Sequence, residues 1–376
     1  MFPLCNRNKL FIFLVVTAFT TAACGNSGGG RNNPTTAPPP VVTEWLVNID
    51  FIFDGGPGKD GIPALVQSDL IFESPQTILT INPNDLAVAV KHNGIIKIYP
   101  HDILDWHEIV NDGPPDDPYT LSYCPLTGSA VAWPGEITHA NSTYGVSGLL
   151  YNSNLLLYDR ETDSVWSQMY ETSIAGPRIR EVSERIQVVE AKFGTLRDMF
   201  PDAMALTRTT GYVRDYNGYP YGDYRESTGL FYPVTNADTR MHPKTRVIGI
   251  RQGTGVNETA TSKVYQLAEF GAATQAINDQ VGNQSIVVVG NTDLDIAVIY
   301  DRELADGTIL TFSPLEGDLP NIMTDTEGTV WDVFGTAVSG PRTGAQLAKT
   351  QSYTAYWFAW GAHFTETEIH FNVTGP

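Results

Sequence analysis

Short runs of β-branched and aromatic residues, separated by Gly, Pro, Asn and Asp, make up most of the chain beyond residue 45. Typical runs are LAVAV, IIKIYP, YTLSY, SAVAW, SIVVV and IAVIY. Runs of this length, bounded by turn-forming residues, are typical of β-strands. Helical spacing of apolar residues is scarce, and its best examples are residues 192–200 and 353–364. The pattern therefore predicts a mainly β fold with a few short helices.

Several short motifs recur along the chain at a nearly constant spacing. KIYP at Lys97 returns as KVYQ at Lys263, and VWSQM returns later as VWDVF. A constant spacing over such a length indicates an internal repeat. We therefore predict an internally duplicated β-rich unit, with halves at about residues 90–206 and 257–372, that forms two lobes of one body.

The N-terminal residues have the pattern of an export signal. Arg7 and Lys9 precede the apolar run LFIFLVVTAF, which is too short to span a membrane, and the string TAAC ends at Cys24. TAAC resembles a bacterial lipobox, so we predict a lipoprotein signal peptide at residues 1–23 and lipidation of Cys24. An ordinary secretory signal cut nearby is the alternative. Residues 24–44 are rich in Gly, Ser and Pro and predict a tether, and residues 45–376 form the folded domain.

The export signal predicts where the protein is located, and the net charge predicts which partners it can bind. An exported, lipid-anchored chain belongs to the bacterial cell envelope, on its periplasmic or cell-surface face, and reaches the membrane through its N-terminal lipid. The chain of 376 residues has a net charge of −19. A surface this acidic repels phosphate, so nucleic acid is excluded as a partner. The ligand stays open at this point as a small molecule, a metal ion or a protein.

The stretch LSYCPLTGSA contains Cys124, the one thiol that the mature chain is expected to keep. The predicted strand before it ends at Pro125. A cysteine at a strand end can be a nucleophile, a redox centre or a soft-metal ligand if a neighbouring base or cation lowers its pKa. His107, in YPHDILDWHEIVND, is the candidate for that base. A buried structural cysteine is the alternative, since unpaired cysteine is among the most buried residue types.

Both candidate residues fall in the first of the two predicted halves, where Cys124 aligns with Asn291. A soft, copper-like metal ion is the cofactor hypothesis, with Cys124, His107 and Met169 as its ligands. Polar residues expected to support the site are Glu108, Asn111, Asp112, Thr127, Ser147 and Gln168.

A second hypothesis from the residues is a binding or assembly module without catalysis. The loop NGYPYGDYRE contains Tyr219, Tyr221 and Tyr224. Tyrosines in loops suit stacking on a glycan, a peptide or a partner protein. The acidic composition favours a cationic ligand over an anionic one.

Several long strings of the chain resemble a known bacterial family. DGIPAL, YPHDILDWHEIVND, YCPLTGSA and YGVSGLLYNSNLLLYDRETDSVWSQ are similar to the DUF3179 family, whose activity is not established. The resemblance implies an exported or membrane-associated protein. In that family the motif usually reads Cys-Pro-Leu-Cys-Gly, with selenocysteine as an alternative, which implies redox or soft-metal chemistry. Only Cys124 maps onto that pattern, because Thr127 stands at the second position.

Overall fold

A computed structural model describes residues 44–135 and 143–370 of the chain. The predicted signal peptide and Cys24, and the tether apart from its last residue, lie outside the described residues. Strands account for 41% of the structure and helices for 9%, which confirms the mainly β fold. Among the described residues, no helix is long and apolar enough to cross a membrane.

The described residues of the first part of the domain contain thirteen strands in three sheets. The strand bounds are β1 (Ile52–Asp54), β2 (Phe72–Glu73), β3 (Leu86–His92), β4 (Ile95–Pro100), β5 (Ile109–Asp112), β6 (Tyr119–Cys124), β7 (Ser129–Pro134), β8 (Tyr144–Tyr151), β9 (Asn154–Asp159), β10 (Val165–Ser167), β11 (Thr172–Ala175), β12 (Val188–Lys192) and β13 (Met204–Leu206). Their orders are β1-β8-β9-β10-β11, β12-β3-β4-β13-β2 and β5-β6-β7. The strands that YTLSY and SAVAW predict are confirmed as β6 and β7.

The described residues of the second part contain eleven strands in three sheets. The strand bounds are β14 (Arg246–Arg251), β15 (Ser262–Gln266), β16 (Gln275–Val281), β17 (Gln284–Asn291), β18 (Ile296–Asp301), β19 (Phe312–Asp318), β20 (Asn321–Asp325), β21 (Val330–Asp332), β22 (Ala337–Ser339), β23 (Gln351–Tyr356) and β24 (Glu368–Ile369). Their orders are β23-β14-β15-β24, β16-β17-β18 and β19-β20-β21-β22. Apart from β1 and β2, each order has its counterpart in the first part. The internal duplication itself stays a prediction.

The described residues contain three α-helices: α1 (His101–His107), α2 (Phe193–Met199) and α3 (Trp357–His363). Short 3-10 helices occur at Ile49–Phe51, Gln67–Asp69 and Leu267–Glu269. The helix expected at residues 192–200 is confirmed. The second expected helix begins only at Trp357, because residues 353–356 complete β23. Helix α1 is not predicted by the apolar spacing, because its apolar residues, Ile103, Leu104 and Trp106, fall within a single turn.

The hydrophobic cores contain side chains from both predicted halves. One cluster joins Trp166 of β10 to Trp357 and Trp360 of α3. Another joins Phe193 of α2 to Trp331 of β21. All five side chains are at most 1% exposed. Burial of large aromatic side chains is the main stabilising contribution here, and the shared cores make the two halves one packed body.

Candidate functional site

Cys124 is the last residue of β6 and begins the tight connection to β7. It pairs with Ser129, and its carbonyl accepts hydrogen bonds from the amides of Thr127 (3.2 Å) and Gly128 (2.8 Å). Gly128 has φ 58°, and a Cβ there would lie 3.0 Å from the ring of Tyr356. The left-handed backbone therefore favours glycine, and the Tyr356 ring leaves little room for a larger residue. We call residues 124–128 the thiol turn.

The thiol of Cys124 is buried in a largely apolar environment. The residue is 1% exposed and belongs to the same core cluster as Trp166 and Met169. The amide of Leu155 donates to Sγ at 3.4 Å, and Sγ lies 3.8 Å from the carbonyl oxygen of Ser153. Burial, together with the nearby charge of Glu108, raises the pKa of Cys124 to about 11. A reactive thiolate needs a shift in the opposite direction.

His107, the expected base for this thiol, is bonded to other groups. Its Nδ1 lies 2.8 Å from the carbonyl oxygen of Pro63, and its Nε2 lies 2.7 Å from the hydroxyl of Tyr216. Burial lowers the pKa of His107, which favours the neutral imidazole. Within the described residues, no hydrogen bond joins His107 to Cys124. The structure therefore does not assemble the expected base–thiol pair.

The copper-like metal site is not assembled either. Both ring nitrogens of His107 are occupied by protein partners, and Met169 is fully buried in the core. In the part of the chain that the structure describes, no three His, Cys, Asp or Glu side chains are grouped so that they could hold a metal ion. The residues present do not fit a metal centre.

Asn111 is bonded to the protein framework and not to the thiol. Its side chain accepts from the amide of Tyr144 (2.9 Å) and donates to the carbonyl of the same residue (2.9 Å). Asn278 makes the same two bonds to Phe312, each at 2.8 Å. Because the pair recurs in the second half, the role of Asn111 is to fix the backbone of β8.

Asp112 has an equally structural set of contacts. Lys97 and Tyr99 both donate to its carboxylate, at 2.7 and 2.5 Å. In the second half, Lys263 lies 2.9 Å from Asp279, and Tyr265 donates to Asp279 at 2.7 Å. Asp112 was expected to support the thiol, but its contacts are those of a buried, paired carboxylate.

Gln168 and Thr127, in contrast, lie beside the thiol turn in a buried polar network. Gln168 Oε1 accepts from Ser129 Oγ and from Asn154 Nδ2, both at 2.7 Å. Asn154 Nδ2 also lies 2.9 Å from Thr127 Oγ1. All four residues are fully buried. A buried polar network of this kind fixes the geometry of the turn. Gln168 and Thr127 therefore position Cys124, and a hydrogen bond with Thr127 acts against the rise in the pKa of the thiol.

Glu108 follows α1 directly, in an unusual backbone conformation. Its amide donates to the carbonyl of Leu104 at 2.8 Å, and its own carbonyl accepts from Tyr123 at 2.7 Å. Its φ is 58°, which is uncommon for a residue other than glycine. Strain of this kind persists only where the surroundings hold it, and it occurs often at functional sites. The conformation directs the chain from α1 into β5.

The Glu108 carboxyl is buried and has a single protein donor. Tyr221 donates to Oε1 at 3.2 Å, and Glu108 is 6% exposed. Among the described residues, no basic side chain pairs with this carboxyl and none donates to Oε2. Burial raises the pKa of Glu108 to about 7; the Tyr221 hydrogen bond opposes the shift and the charge of Asp105 adds to it. Glu108 therefore changes charge close to neutral pH.

A cavity of about 280 Å³ opens beside this carboxyl. We call it the Glu108 pocket. Three aromatic side chains line it: Tyr221, Phe231 and Tyr232. The rest of its wall is mostly aliphatic and includes Ile62, Leu126, Val146, Leu149, Leu150 and Leu155. Leu126 belongs to the thiol turn and the amide of Leu155 donates to the sulfur of Cys124, so Cys124 lies behind one wall of the pocket.

A bulge in β8 shapes another wall. The pairing of β8 with β9 shifts between Val146 and Leu150. Within the bulge, Ser147 Oγ donates to the carbonyl of Leu156 (2.5 Å) and accepts from the amide of Leu149 (3.0 Å). Gly148 has φ 79°, and a Cβ there would lie 2.5 Å from the backbone of residue 58. Ser147 thus shapes the pocket wall and does not contact the thiol.

The segment at residues 207–245, which links the two halves, contains no regular helix or strand and packs on the site. Tyr219 donates to the carbonyl of Pro125 in the thiol turn at 3.2 Å. Burial raises the pKa of Tyr219, Tyr221 and Tyr224, and the nearby Cys124 contributes to each shift. The loop tyrosines and the thiol turn, which the sequence offers as rival sites, therefore occupy one region.

A second, polar cavity of about 510 Å³ borders α1. Asp105 and Asp102 line it, each paired with an arginine of the linking segment: Arg225 lies 2.6 Å from Asp105, and Arg208 lies 2.6 Å from Asp102. These arginines were not among the predicted site residues. Burial raises the pKa of Asp105 to about 7, while Arg225 acts against the shift. Asp102 and Asp105 therefore each have a cationic partner from the protein.

Comparison with known proteins identifies the chain at the level of a family. No curated protein and no solved structure matches the chain. The family described as "Protein of unknown function (DUF3179)" matches residues 59–367. That range includes Glu108, the thiol turn and the linking segment. Because the match covers most of the chain, this protein belongs to the DUF3179 family.

Proposed function

We propose that this protein binds a small molecule with an apolar body and one polar group in the Glu108 pocket. The observation that carries the proposal is a buried carboxyl without a basic partner at the edge of an apolar cavity. Ligand pockets are typically apolar with a few placed polar groups. A dry apolar cavity of about 150 Å³ holds benzene, so a cavity of about 280 Å³ accepts a somewhat larger molecule.

The burial and the contacts of the site support ligand binding better than they support a reaction at the thiol of Cys124. The thiolate is the reactive form of cysteine, and a pKa of about 11 keeps Cys124 protonated at neutral pH. His107 is neutral and bonded to Tyr216 and Pro63, so it is not available to accept the thiol proton. In this account Cys124 supports the pocket wall, and the Tyr-rich linking segment supplies the aromatic contacts.

The proposal is tested with 3,3-dimethylbutan-1-ol, a neutral probe that has one hydroxyl group. Saturation-transfer NMR detects weak binding, and we expect transfer to the tert-butyl protons with the unmodified protein. Leu149 lines the pocket and is half-buried, so Leu149→Trp should fill the cavity and abolish the transfer. Leu79 is 91% exposed, which makes Leu79→Trp the matched control. Absence of transfer with the unmodified protein, or equal transfer with Leu149→Trp, would overturn the proposal.

We also propose that the protein works at the bacterial cell envelope, held to a membrane by a lipid on Cys24. The support is the sequence alone: a basic start, an apolar run and the string TAAC that ends at Cys24. Metabolic labelling with a fatty acid should label the full chain, and Cys24→Ser should lose the label and the membrane fraction. Label retained on the Cys24→Ser variant would contradict the lipid anchor.

A further inference from the structure

Most other buried carboxylates of the described residues have a cationic partner from the protein; Asp159 instead accepts hydrogen bonds from the amide and hydroxyl of Thr162 and from the indole of Trp166. Glu171 pairs with Arg185, and Glu190 pairs with Arg246. Asp105 pairs with Arg225 at 2.6 Å. Burying a carboxylate without such a partner is unfavourable by several kcal/mol, of order ~3 or more. Glu108 is buried to the same degree and has only the Tyr221 hydroxyl.

Aromatic rings around the Glu108 pocket favour a cation that can contact their faces. Aromatic rings attract a cation through their electron-rich faces, and the pocket places Tyr221, Phe231 and Tyr232 around the cavity. The rings of Tyr221 and Phe231 are 6.3 Å apart, and those of Phe231 and Tyr224 are 4.5 Å apart. Phe231 is 54% exposed, so this side of the cavity reaches the surface.

We propose that the ligand of the Glu108 pocket is a small organic cation, an alkylated or quaternary ammonium compound, whose charge is paired by the Glu108 carboxylate and surrounded by the three aromatic rings. This inference rests on the proposed binding function and specifies the ligand class. The ammonium group supplies the cationic partner that Glu108 lacks, and its alkyl groups contact the aliphatic wall.

Other ligand classes fit this pocket less well. Lys, Arg and His are absent from its lining, so an anion would find no charged partner there. A metal ion such as Mg²⁺ or Ca²⁺ needs several oxygen ligands, and Glu108 is the only carboxylate in the lining. A neutral molecule would leave the buried carboxylate unpaired once it ionises. An organic cation can pair its charge with Glu108 and pack its alkyl groups against the apolar wall.

The charge of Glu108 makes this binding depend on pH. The ionisable groups that face it are Tyr221, Asp105 and Cys124. Burial raises the pKa of Tyr221 and of Cys124, so both stay protonated near neutral pH. Asp105 is paired with Arg225. A quaternary ammonium has a fixed charge, so its affinity should rise with pH as Glu108 ionises and level off above the pKa of about 7.

The experiment compares choline with 3,3-dimethylbutan-1-ol, its neutral isostere, in which carbon replaces nitrogen. Both are titrated by ligand-observed NMR at about pH 8.5 in buffer without amines. We expect choline to bind at least about tenfold more tightly than the alcohol. Glu108→Gln keeps the shape and the acceptor for Tyr221 and should remove this preference while leaving the alcohol bound. Glu184 is exposed and does not line the pocket, so Glu184→Gln is the matched control for loss of one charge.

The outcomes separate the two proposals. A choline preference that disappears in Glu108→Gln and persists in Glu184→Gln supports the organic cation. Equal binding of both probes, or a preference that Glu108→Gln does not change, overturns the cation and leaves pocket binding in place. Failure of both probes to bind overturns the binding function, and this inference falls with it.

Discussion

The hydroxyl of Tyr221 donates a hydrogen bond of 3.2 Å to Oε1 of Glu108. These two residues are far apart in the sequence, one directly after α1 and the other in the linking segment at residues 207–245. The contact places an ionisable carboxyl and an aromatic ring at one cavity. It also gives Glu108 its single protein donor among the described residues.

The first consequence concerns stability and pH. Burial raises the pKa of Glu108 to about 7, above the value near 4.3 of an unfolded chain. The folded state therefore binds the proton more tightly, so the contribution of Glu108 to stability is fully present below the unfolded pKa and is lost as pH rises through about 7. Glu108→Gln cannot ionise. We expect it to be more stable than the unmodified protein by up to about 3 kcal/mol at about pH 8.5, and similar at about pH 4.

Urea unfolding in phosphate buffer measures this difference. Asp105 also has a pKa raised to about 7, but it is present in both proteins, so the comparison isolates Glu108. Glu184→Gln, at an exposed position, should change stability by less than about 0.5 kcal/mol. A Glu108→Gln protein that is less stable at about pH 8.5 would show that the carboxylate has a favourable partner in the ligand-free protein.

The second consequence concerns the reactivity of Cys124. With a thiol pKa of about 11, the thiolate fraction at about pH 8 is about 200-fold smaller than that of a free cysteine with a pKa near 8.5. Alkylation of folded protein by iodoacetamide should be slower by at least this factor than alkylation in denaturant. Peptide mass spectrometry assigns the label to Cys124. Fast alkylation of the folded protein below about pH 8 would instead restore the reactive-thiol hypothesis.

The third prediction concerns the network behind the thiol turn. Gln168→Leu removes the partners of Ser129, Asn154 and Ser122 in a fully buried position. We expect a loss of about 3 kcal/mol in the free energy of unfolding, because buried polar groups are left without partners.

Gln187→Leu is the matched control for this prediction. Gln187 is only half-buried, and its side chain makes one long hydrogen bond of 3.5 Å. Its loss should therefore be below about 1 kcal/mol. Equal effects of the two substitutions would mean that the Gln168 network does not stabilise the turn.

The fourth prediction treats Asn111 and Asn278 as equivalent framework residues. Each side chain makes a reciprocal pair of hydrogen bonds to one backbone residue, Tyr144 or Phe312. Asn111→Ala and Asn278→Ala should each destabilise the fold by about 2 kcal/mol. At a temperature where both variants are folded, neither should change choline binding. Loss of binding in Asn111→Ala alone would return Asn111 to the functional site.

The strands could be predicted from the sequence because apolar and turn-forming residues alternate clearly there, as in YTLSYC and SAVAW. Helix α1 could not be predicted in this way, because its apolar residues, Ile103, Leu104 and Trp106, fall within a single turn and show no helical period. The buried state of Cys124 was one of two alternatives. Its environment depends on Leu155, Glu108 and the core of β9 and β10, which only the tertiary fold brings to it.

The pocket itself could not be predicted from local sequence. Its lining comes from Ile62, Glu108, Leu126, Leu149 and Phe231, which lie on five separate segments. Glu108 was expected near the site as a supporting residue, and the structure gives it the central place. Its burial has no local signal, because polar residues such as Asp105 and His107 stand beside it in the sequence.

A crystal structure of the protein with choline at saturating concentration tests the central claim most directly. We predict density for choline in the Glu108 pocket, with its ammonium group facing the Glu108 carboxylate and within about 6 Å of the centre of an aromatic ring. A well-ordered structure in which the Glu108 pocket stays empty, or in which choline binds only elsewhere, would contradict the account.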